Sequence, residues 1–144
     1  MEKQIYGIMG YPVRHSLSPA MQNAAFRELK IDAEYRLFEV PGGNLEQFLD
    51  KVKSGNNISG LNVTIPHKIK AREYLEHSGS LDEGAVRLGA VNTIKVCDDG
   101  TLRGFNTDGP GFYRSLVEDL KFGPEGRNIF VLGSGGAAKA IVMY

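Results

Sequence analysis

Apolar and polar positions along this chain fall into two textures. Short apolar runs closed by glycine or proline read as strands, and stretches with apolar residues three and four apart read as helices. Residues 5–9 predict a buried strand ending at Gly10, and a loop runs from Tyr11 to Leu17. Ser18-Pro19 predicts a helix start, with the serine as N-cap and the proline at the first helical position. Met21, Ala25 and Leu29 recur four apart and predict its buried face. Residues 33–40 predict a second strand, closed by Pro41-Gly42-Gly43. Asn44 then caps a helix whose Leu45, Phe48, Leu49 and Val52 follow the i, i+3, i+4, i+7 spacing up to Gly55. Residues 58–65 predict a third strand. A helix over about residues 66–76 follows, with Ile69 and Tyr74 inward, and Ser80 caps another over 81–88.

Residues 91–96 and 101–105 flank Asp98-Asp99-Gly100, which is a β-hairpin signal. A helix over about 108–120 carries Phe112, Leu116 and Leu120, and Gly123-Pro124-Glu125-Gly126 breaks it. Residues 128–132 then read as a buried parallel strand that runs into a glycine-rich turn and a helix beginning near Gly136. A strand, a turn and a helix are the first part of a βαβ unit, and the second parallel strand is missing. The pattern predicts an α/β chain with one domain and the truncated start of another.

Composition narrows this little. The 144 residues carry 42% hydrophobic and 24% charged side chains, in the range of globular proteins. Seventeen basic residues balance seventeen acidic ones, so no global field favours nucleic acid or anionic lipid. Cys97 is the only cysteine, which excludes an internal disulfide and gives no metal-ligand pattern. With no membrane-length apolar stretch and no signal-peptide pattern at Met1-Glu2-Lys3-Gln4, the expectation is a soluble cytoplasmic protein.

Candidate chemistry lies in a few segments. Gly133-Ser134-Gly135-Gly136-Ala137-Ala138 fits G-x-G-x-x-A between a strand and a helix. Glycines there allow a tight turn and close backbone approach to a pyrophosphate, whose charge suits a helix N-terminus. A ligand-free glycine turn is the alternative. Lys68 opens a helix against its dipole, a mismatch that an anion or polar ligand would offset. Asp108 stands in the turn Gly104-Phe105-Asn106-Thr107-Asp108-Gly109, either as a helix cap or as a partner for a cation. Ser16 and Ser18 flank Leu17 at a helix mouth, and their hydroxyls could cradle a carboxylate or merely cap. Asn62, Thr64 and Asn92 are polar positions in strand-like runs, suited to ligand hydroxyls or to neighbouring backbone groups. His15 and His67 read as polar loop residues.

Five segments in order resemble the shikimate dehydrogenase family: Gly10-Tyr11-Pro12-Val13 with His15-Ser16-Leu17-Ser18-Pro19; Asn62-Val63-Thr64-Ile65-Pro66-His67-Lys68; Gly89-Ala90-Val91-Asn92-Thr93; Asn106-Thr107-Asp108-Gly109; and the turn at 133–138. The resemblance implies an open, twisted, mostly parallel α/β sheet as a substrate-binding catalytic domain over residues 1–106. Residues 107–144 would be a linker helix and the truncated start of an NADP-binding Rossmann domain. It implies Lys68 and Asp108 as the catalytic pair. Ser16, Ser18 and Thr64 would surround the substrate carboxylate, with Asn62 and Asn92 on ring hydroxyls. Gly133, Ser134, Gly135, Gly136, Ala137 and Ala138 would hold the NADP pyrophosphate. The implied reaction is the reversible NADP-dependent reduction of 3-dehydroshikimate to shikimate, with no metal. Quinate or dual quinate/shikimate activity stays open, and so does a non-catalytic shikimate-binding or assembly module. One departure is Gln22, where the family usually has histidine. Residues that read the NADP phosphate, and a glutamine on a helix returning to the first domain, would lie outside these 144. The expectation for the chain itself is a folded first domain without catalysis, with the apolar run at 129–132 unpaired and favouring a homodimer, an aggregate or a rearranged C-terminal segment.

Overall fold

Three apolar runs from the first half of the chain set the frame. In the computed structural model, which describes residues 3–55, 57–134 and 136–143, they form β1 (Gln4–Gly10), β2 (Ala33–Glu39) and β3 (Ile58–Val63). β1 lies between the other two and pairs with both in parallel. Parallel neighbours need crossovers, here supplied by α1 (Ser18–Glu28) and α2 (Leu45–Lys53).

The second half closes the sheet differently. After α3 (Lys68–Ser78) come the two-residue β4 (Ser80–Leu81) and the short helix α4 (Glu83–Leu88). The hairpin β5 (Thr93–Val96) and β6 (Leu102–Phe105) follows, with β5 antiparallel to β3 and β4 parallel to β6. The six-stranded order is β2-β1-β3-β5-β6-β4. α5 (Asp108–Arg114) continues into a stretch of π-helix, Ser115–Asp119, and α6 (Gly136–Val142) is the last element.

The core sits on one side of this sheet. Met9, Leu49, Leu75, Ile94 and Leu102 are wholly buried together, with Val52, Leu61, Val63, Ala71 and Val91 around them. Each such side chain contributes roughly 1.5–3 kcal/mol by leaving water. Gly104 is required for this packing, since a Cβ there would stand 2.7 Å from Leu75 Cδ1 and 2.9 Å from Val91 Cγ2. Its absence lets α3 lie directly on β6.

Several sequence expectations are corrected. The N-cap of α1 is Leu17, and Ser18 is its first residue. Its Met21, Ala25 and Leu29 face outward, with Met21 63% and Leu29 67% exposed. The half-buried face carries Gln22, Asn23 and Phe26 instead. Asn23 turns inward because its amide bonds both the N–H and the C=O of Tyr35 on the edge strand β2, each at 2.9 Å. α3 begins at Lys68, and Ile69 is exposed while Ala71 and Leu75 face the core. Ser80 is not a cap: it pairs with Arg103 in the sheet, and Asp82 caps α4 by accepting from the Ala85 N–H at 2.7 Å. Asn44 makes no side-chain cap, although Leu45, Leu49 and Val52 of α2 are buried. The helix expected over 108–120 is α-helical only to Arg114, and Phe112 and Leu120 stand exposed. Residues 128–132 form no strand, and Phe130 and Leu132 are 88% and 91% exposed. An apolar run needs a ladder partner to become a strand, and among the described residues none lies beside it.

Candidate active site

Asn62, Lys68, Asn92 and Asp108, singled out from sequence, sit where the end of β3, the segment before β5, and the starts of α3 and α5 meet. The end of β3 is fastened on both sides: the Val63 N–H donates to Asn92 O at 2.7 Å, and the Thr64 N–H to Met9 O at 2.9 Å. A tight turn, with the His67 N–H donating to Thr64 O at 2.9 Å, then sets Lys68 as the first residue of α3. Lys68 is pinned in turn, because its carbonyl accepts from the Val91 N–H at 2.8 Å. Its backbone is therefore built into the sheet edge while its ammonium is free to reach out.

That ammonium donates to Asp108 Oδ2 at 2.7 Å, with side-chain exposures of 34% and 39%. The pair borders solvent and can meet a ligand. Asp108 is not a cap: its Oδ1 accepts from Asn92 Nδ2 at 2.8 Å, so both oxygens are taken by side chains. The turn before it is held by Asn106, whose Oδ1 accepts the Asp108 N–H at 3.0 Å and whose Nδ2 donates to Ala90 O at 3.0 Å. Asn92 is buried, and its Oδ1 accepts the Thr107 N–H at 3.0 Å. The carboxylate also answers the mismatch seen in sequence, since it neutralises a cation at the positive end of α3.

Asn62 joins the same network. Its Oδ1 accepts from the Tyr35 hydroxyl at 2.6 Å, and its Nδ2 approaches Thr93 Oγ1 at 3.4 Å. Thr93 donates to Asn92 Oδ1 at 3.0 Å. Burial of Tyr35 pushes its hydroxyl up to about 12, which widens the pH range over which it can donate.

Ser16 and Ser18 form a second group. Ser16 Oγ donates to Ser18 Oγ at 3.1 Å and accepts the Ser18 N–H at 3.3 Å. Ser16, Thr64 and His15 share a recess of about 340 Å³ with Tyr11 and Ile65. Thr64 and Asn62 are both half-buried, two residues apart along one face at the end of β3. Thus Lys68, Asp108, Asn92 and Asn62 are joined by hydrogen bonds through Thr93, while Ser16 and Thr64 line a separate recess and Ser18 is tied to Ser16.

Of the candidate phosphate turn, Gly133 has φ +121°, which favours glycine, and Gly136 opens α6. Ser134 is exposed, Ala138 is half-buried within α6, Ala137 belongs to that helix, and Gly135 lies outside the described residues. Lys139 is the basic residue of α6.

Sequence reasoning missed four groups. His67 lies in the turn before α3, as expected of a loop residue, but it is wholly buried, with Nε2 2.6 Å from Val40 O. Tyr35, Thr93 and Thr107 carry the hydrogen bonds around Asn62 and Asn92. The signal for Tyr35 was present, as a phenol at an alternating inward position of a strand. Among the described residues there is no group of three or more His, Cys, Asp or Glu side chains arranged for a metal. None of the described helices is long and apolar enough to cross a membrane.

The family model and the curated relatives point to one family. The model for the shikimate dehydrogenase substrate binding domain matches residues 8–94. A shikimate dehydrogenase (NADP(+)) of Geobacillus kaustophilus is 46% identical over 141 residues, covering 98% of this chain and 49% of that protein. A shikimate 5-dehydrogenase of Listeria monocytogenes, solved with shikimate and NAD, superposes with TM-score 0.88 at 37% identity, over 98% of this chain and 47% of that one. The Thermus thermophilus enzyme solved with NADP(H) and shikimate gives TM-score 0.84 at 37% identity, over 96% and 50%. The chain spans about half the length of the relatives it matches.

Proposed function

The chain belongs to the shikimate dehydrogenase family, and from that premise we propose that it supplies the substrate-binding half of an enzyme that reversibly reduces 3-dehydroshikimate to shikimate with NADPH. The observation that carries this reading is the Lys68–Asp108 pair, 2.7 Å apart and bordering solvent beside Asn92 and Asn62. A partly exposed ion pair adds only about 0–1 kcal/mol to stability, so its value lies in placing charge rather than in holding the fold.

Reduction of a ring ketone adds a hydride to carbon and a proton to oxygen, and negative charge grows on that oxygen. The Lys68 ammonium stabilises this charge and delivers the proton, and in the reverse direction takes it back. Asp108 holds the ammonium in place. Asn92 fixes Asp108 through Oδ1, leaving Oδ2 to the lysine. Ser16, Ser18 and Thr64 bind the substrate carboxylate, and Asn62 and Asn92 meet ring hydroxyls. Bound NADP supplies or accepts the hydride. The left-handed Gly133 and the helix opening at Gly136 suit a pyrophosphate, and residues 133–138 would hold it. We also read the protein as cytoplasmic, where NADPH is the working reductant, and as able to form a homodimer through its exposed apolar residues.

The test is calorimetric titration of shikimate and of quinate into the chain, beside an NADP-linked absorbance assay on a form long enough to hold the nucleotide. Shikimate binding with NADP-dependent turnover supports the reading. Preference for quinate would move the substrate assignment. Binding without turnover in the longer form would make the chain a binding module, and no binding of either acid would overturn the proposal.

A further inference from the structure

The direction of every hydrogen bond from Asp108 to Tyr35 follows from a single backbone donor. The Thr107 N–H can only donate, and it meets Asn92 Oδ1 at 3.0 Å. Asn92 therefore directs its Nδ2 to Asp108 Oδ1, at 2.8 Å. Thr93 Oγ1 lies 3.0 Å from the same Asn92 Oδ1 and must give its proton there. Its remaining capacity toward Asn62, 3.4 Å away, is that of an acceptor. Asn62 consequently turns Nδ2 toward Thr93, and its Oδ1 faces the Tyr35 hydroxyl at 2.6 Å. At the end of the chain Tyr35 must donate.

Tyr35 is well fixed for this. Asn23 of α1 clamps its backbone N–H and C=O at 2.9 Å each, and the residue is 5% exposed. The register sets Tyr35 opposite Tyr6 and Asn62 opposite Ile8, so the ring reaches across β1 to meet the end of β3. Burial holds the phenol in its neutral, donating form.

We propose that Tyr35 is a positioning residue, which fixes the Asn62 carboxamide with its N–H rather than its C=O on the side of Thr93, in the recess of about 160 Å³ that the three residues share, and thereby selects a ligand oxygen able to accept a hydrogen bond. Asn62 Nδ2 carries two hydrogens, and among the described residues it donates only to Thr93, at a long 3.4 Å. The other hydrogen is available to a ligand hydroxyl or carboxylate oxygen. Without the Tyr35 hydroxyl only the long contact to Thr93 holds the carboxamide in this orientation, so it turns over more readily and then offers an acceptor where a donor is needed. This inference deepens the proposed function and rests on it for the identity of the ligand.

The experiment compares wild type, Tyr35→Phe, Asn62→Ala and the double variant of this chain, by calorimetry with shikimate and by NMR of the Asn62 side-chain amide in the free chain. Tyr35→Phe keeps the ring and the packing. The expected result is shikimate binding weakened about 5- to 30-fold in Tyr35→Phe, and no further weakening when Tyr35→Phe is added to Asn62→Ala. The Asn62 amide signals are expected to shift and to exchange faster in Tyr35→Phe. Additive losses in the double variant, or unchanged Asn62 signals, would overturn the positioning role even if shikimate binds normally. Failure of wild type to bind shikimate would overturn the functional reading and the ligand role with it, while the NMR comparison still decides whether Tyr35 fastens Asn62.

Discussion

Lys68 and Asp108 are 40 residues apart in sequence, and Lys68 Nζ lies 2.7 Å from Asp108 Oδ2. One opens α3 and the other opens α5, so the pair depends on two helix starts being brought to one edge. The sheet does this by bonding the Lys68 carbonyl to Val91 and the Asn92 side chain to Thr107. Removing the ammonium leaves those backbone ties intact. Lys68→Ala is therefore expected to lower turnover about 10²–10⁴-fold, the span for a positioned acid–base group, in a form of the protein long enough to turn over shikimate. Circular dichroism should be unchanged. Near-normal turnover would take Lys68 out of the reaction.

How far the sequence foretold this differs between elements. The hairpin was legible because Asp98-Asp99-Gly100 allows few other conformations, and Gly100 does take φ +80°. α2 was legible because its apolar face is also its buried face. α1 was not, because spacing alone cannot say which of two faces packs inward. There the inward face holds Asn23, whose amide completes the edge of β2 at Tyr35, and the apolar Met21 and Leu29 point away. Lys68 and Asp108 were legible from their own residues only as separate signals, and as a pair only through the family resemblance. That they touch is a tertiary fact, as is the burial of His67, whose ring reaches the carbonyl of Val40.

Asn92 joins more groups than any other side chain in the site. It accepts from the Thr107 N–H and from Thr93, and donates to Asp108. Asn92→Ala would strand a backbone donor and release the carboxylate. The expected cost is about 1–3 kcal/mol in unfolding free energy, together with weaker shikimate binding. Urea denaturation and calorimetry check the two parts. Full stability in Asn92→Ala would mean that water replaces the lost bonds.

Ser16 bears on binding rather than chemistry. It is hydrogen-bonded to Ser18 and lines the recess with Thr64, apart from the Lys68–Asp108 contact. If a carboxylate sits there, Ser16→Ala should weaken shikimate binding by about 10-fold or more, the value of one hydrogen bond to a charged group, with kcat little changed. A large fall in kcat at constant KM would place Ser16 near the reacting carbon instead.

Tyr35 makes stability depend on alkaline pH. Burial raises its folded-state value from 10.0 to about 12, so on raising the pH the unfolded chain loses this proton first. The stability contributed by the neutral phenol is complete below about pH 10 and is lost as the pH climbs toward 12, roughly 3 kcal/mol for a two-unit shift. Thermal melts of wild type and Tyr35→Phe should therefore draw together or cross between about pH 10 and 12, with wild type falling faster. Parallel curves across that range would show that Tyr35 titrates as an ordinary exposed phenol.

The final prediction concerns the apolar surface near the end of the described chain. Phe130 and Leu132 are 88% and 91% exposed, and Ile129 is exposed beside them. They line an open recess with Phe112, Leu116, Phe122 and Val142, so the exposed side chains form one patch rather than scattered points. Contiguous apolar surface of this kind drives association when nothing covers it. The 144-residue chain is expected to self-associate in a concentration-dependent way, with a first domain that stays folded around Met9, Leu49 and Leu75. Light scattering across a dilution series reads the association, and limited proteolysis reads which part is protected. The double substitution Phe130→Ser with Leu132→Ser should restore a monomer without altering the melting of the first domain. A monodisperse monomer of the unsubstituted chain, with residues 128–132 resistant to protease, would mean that the patch folds back onto the chain's own surface.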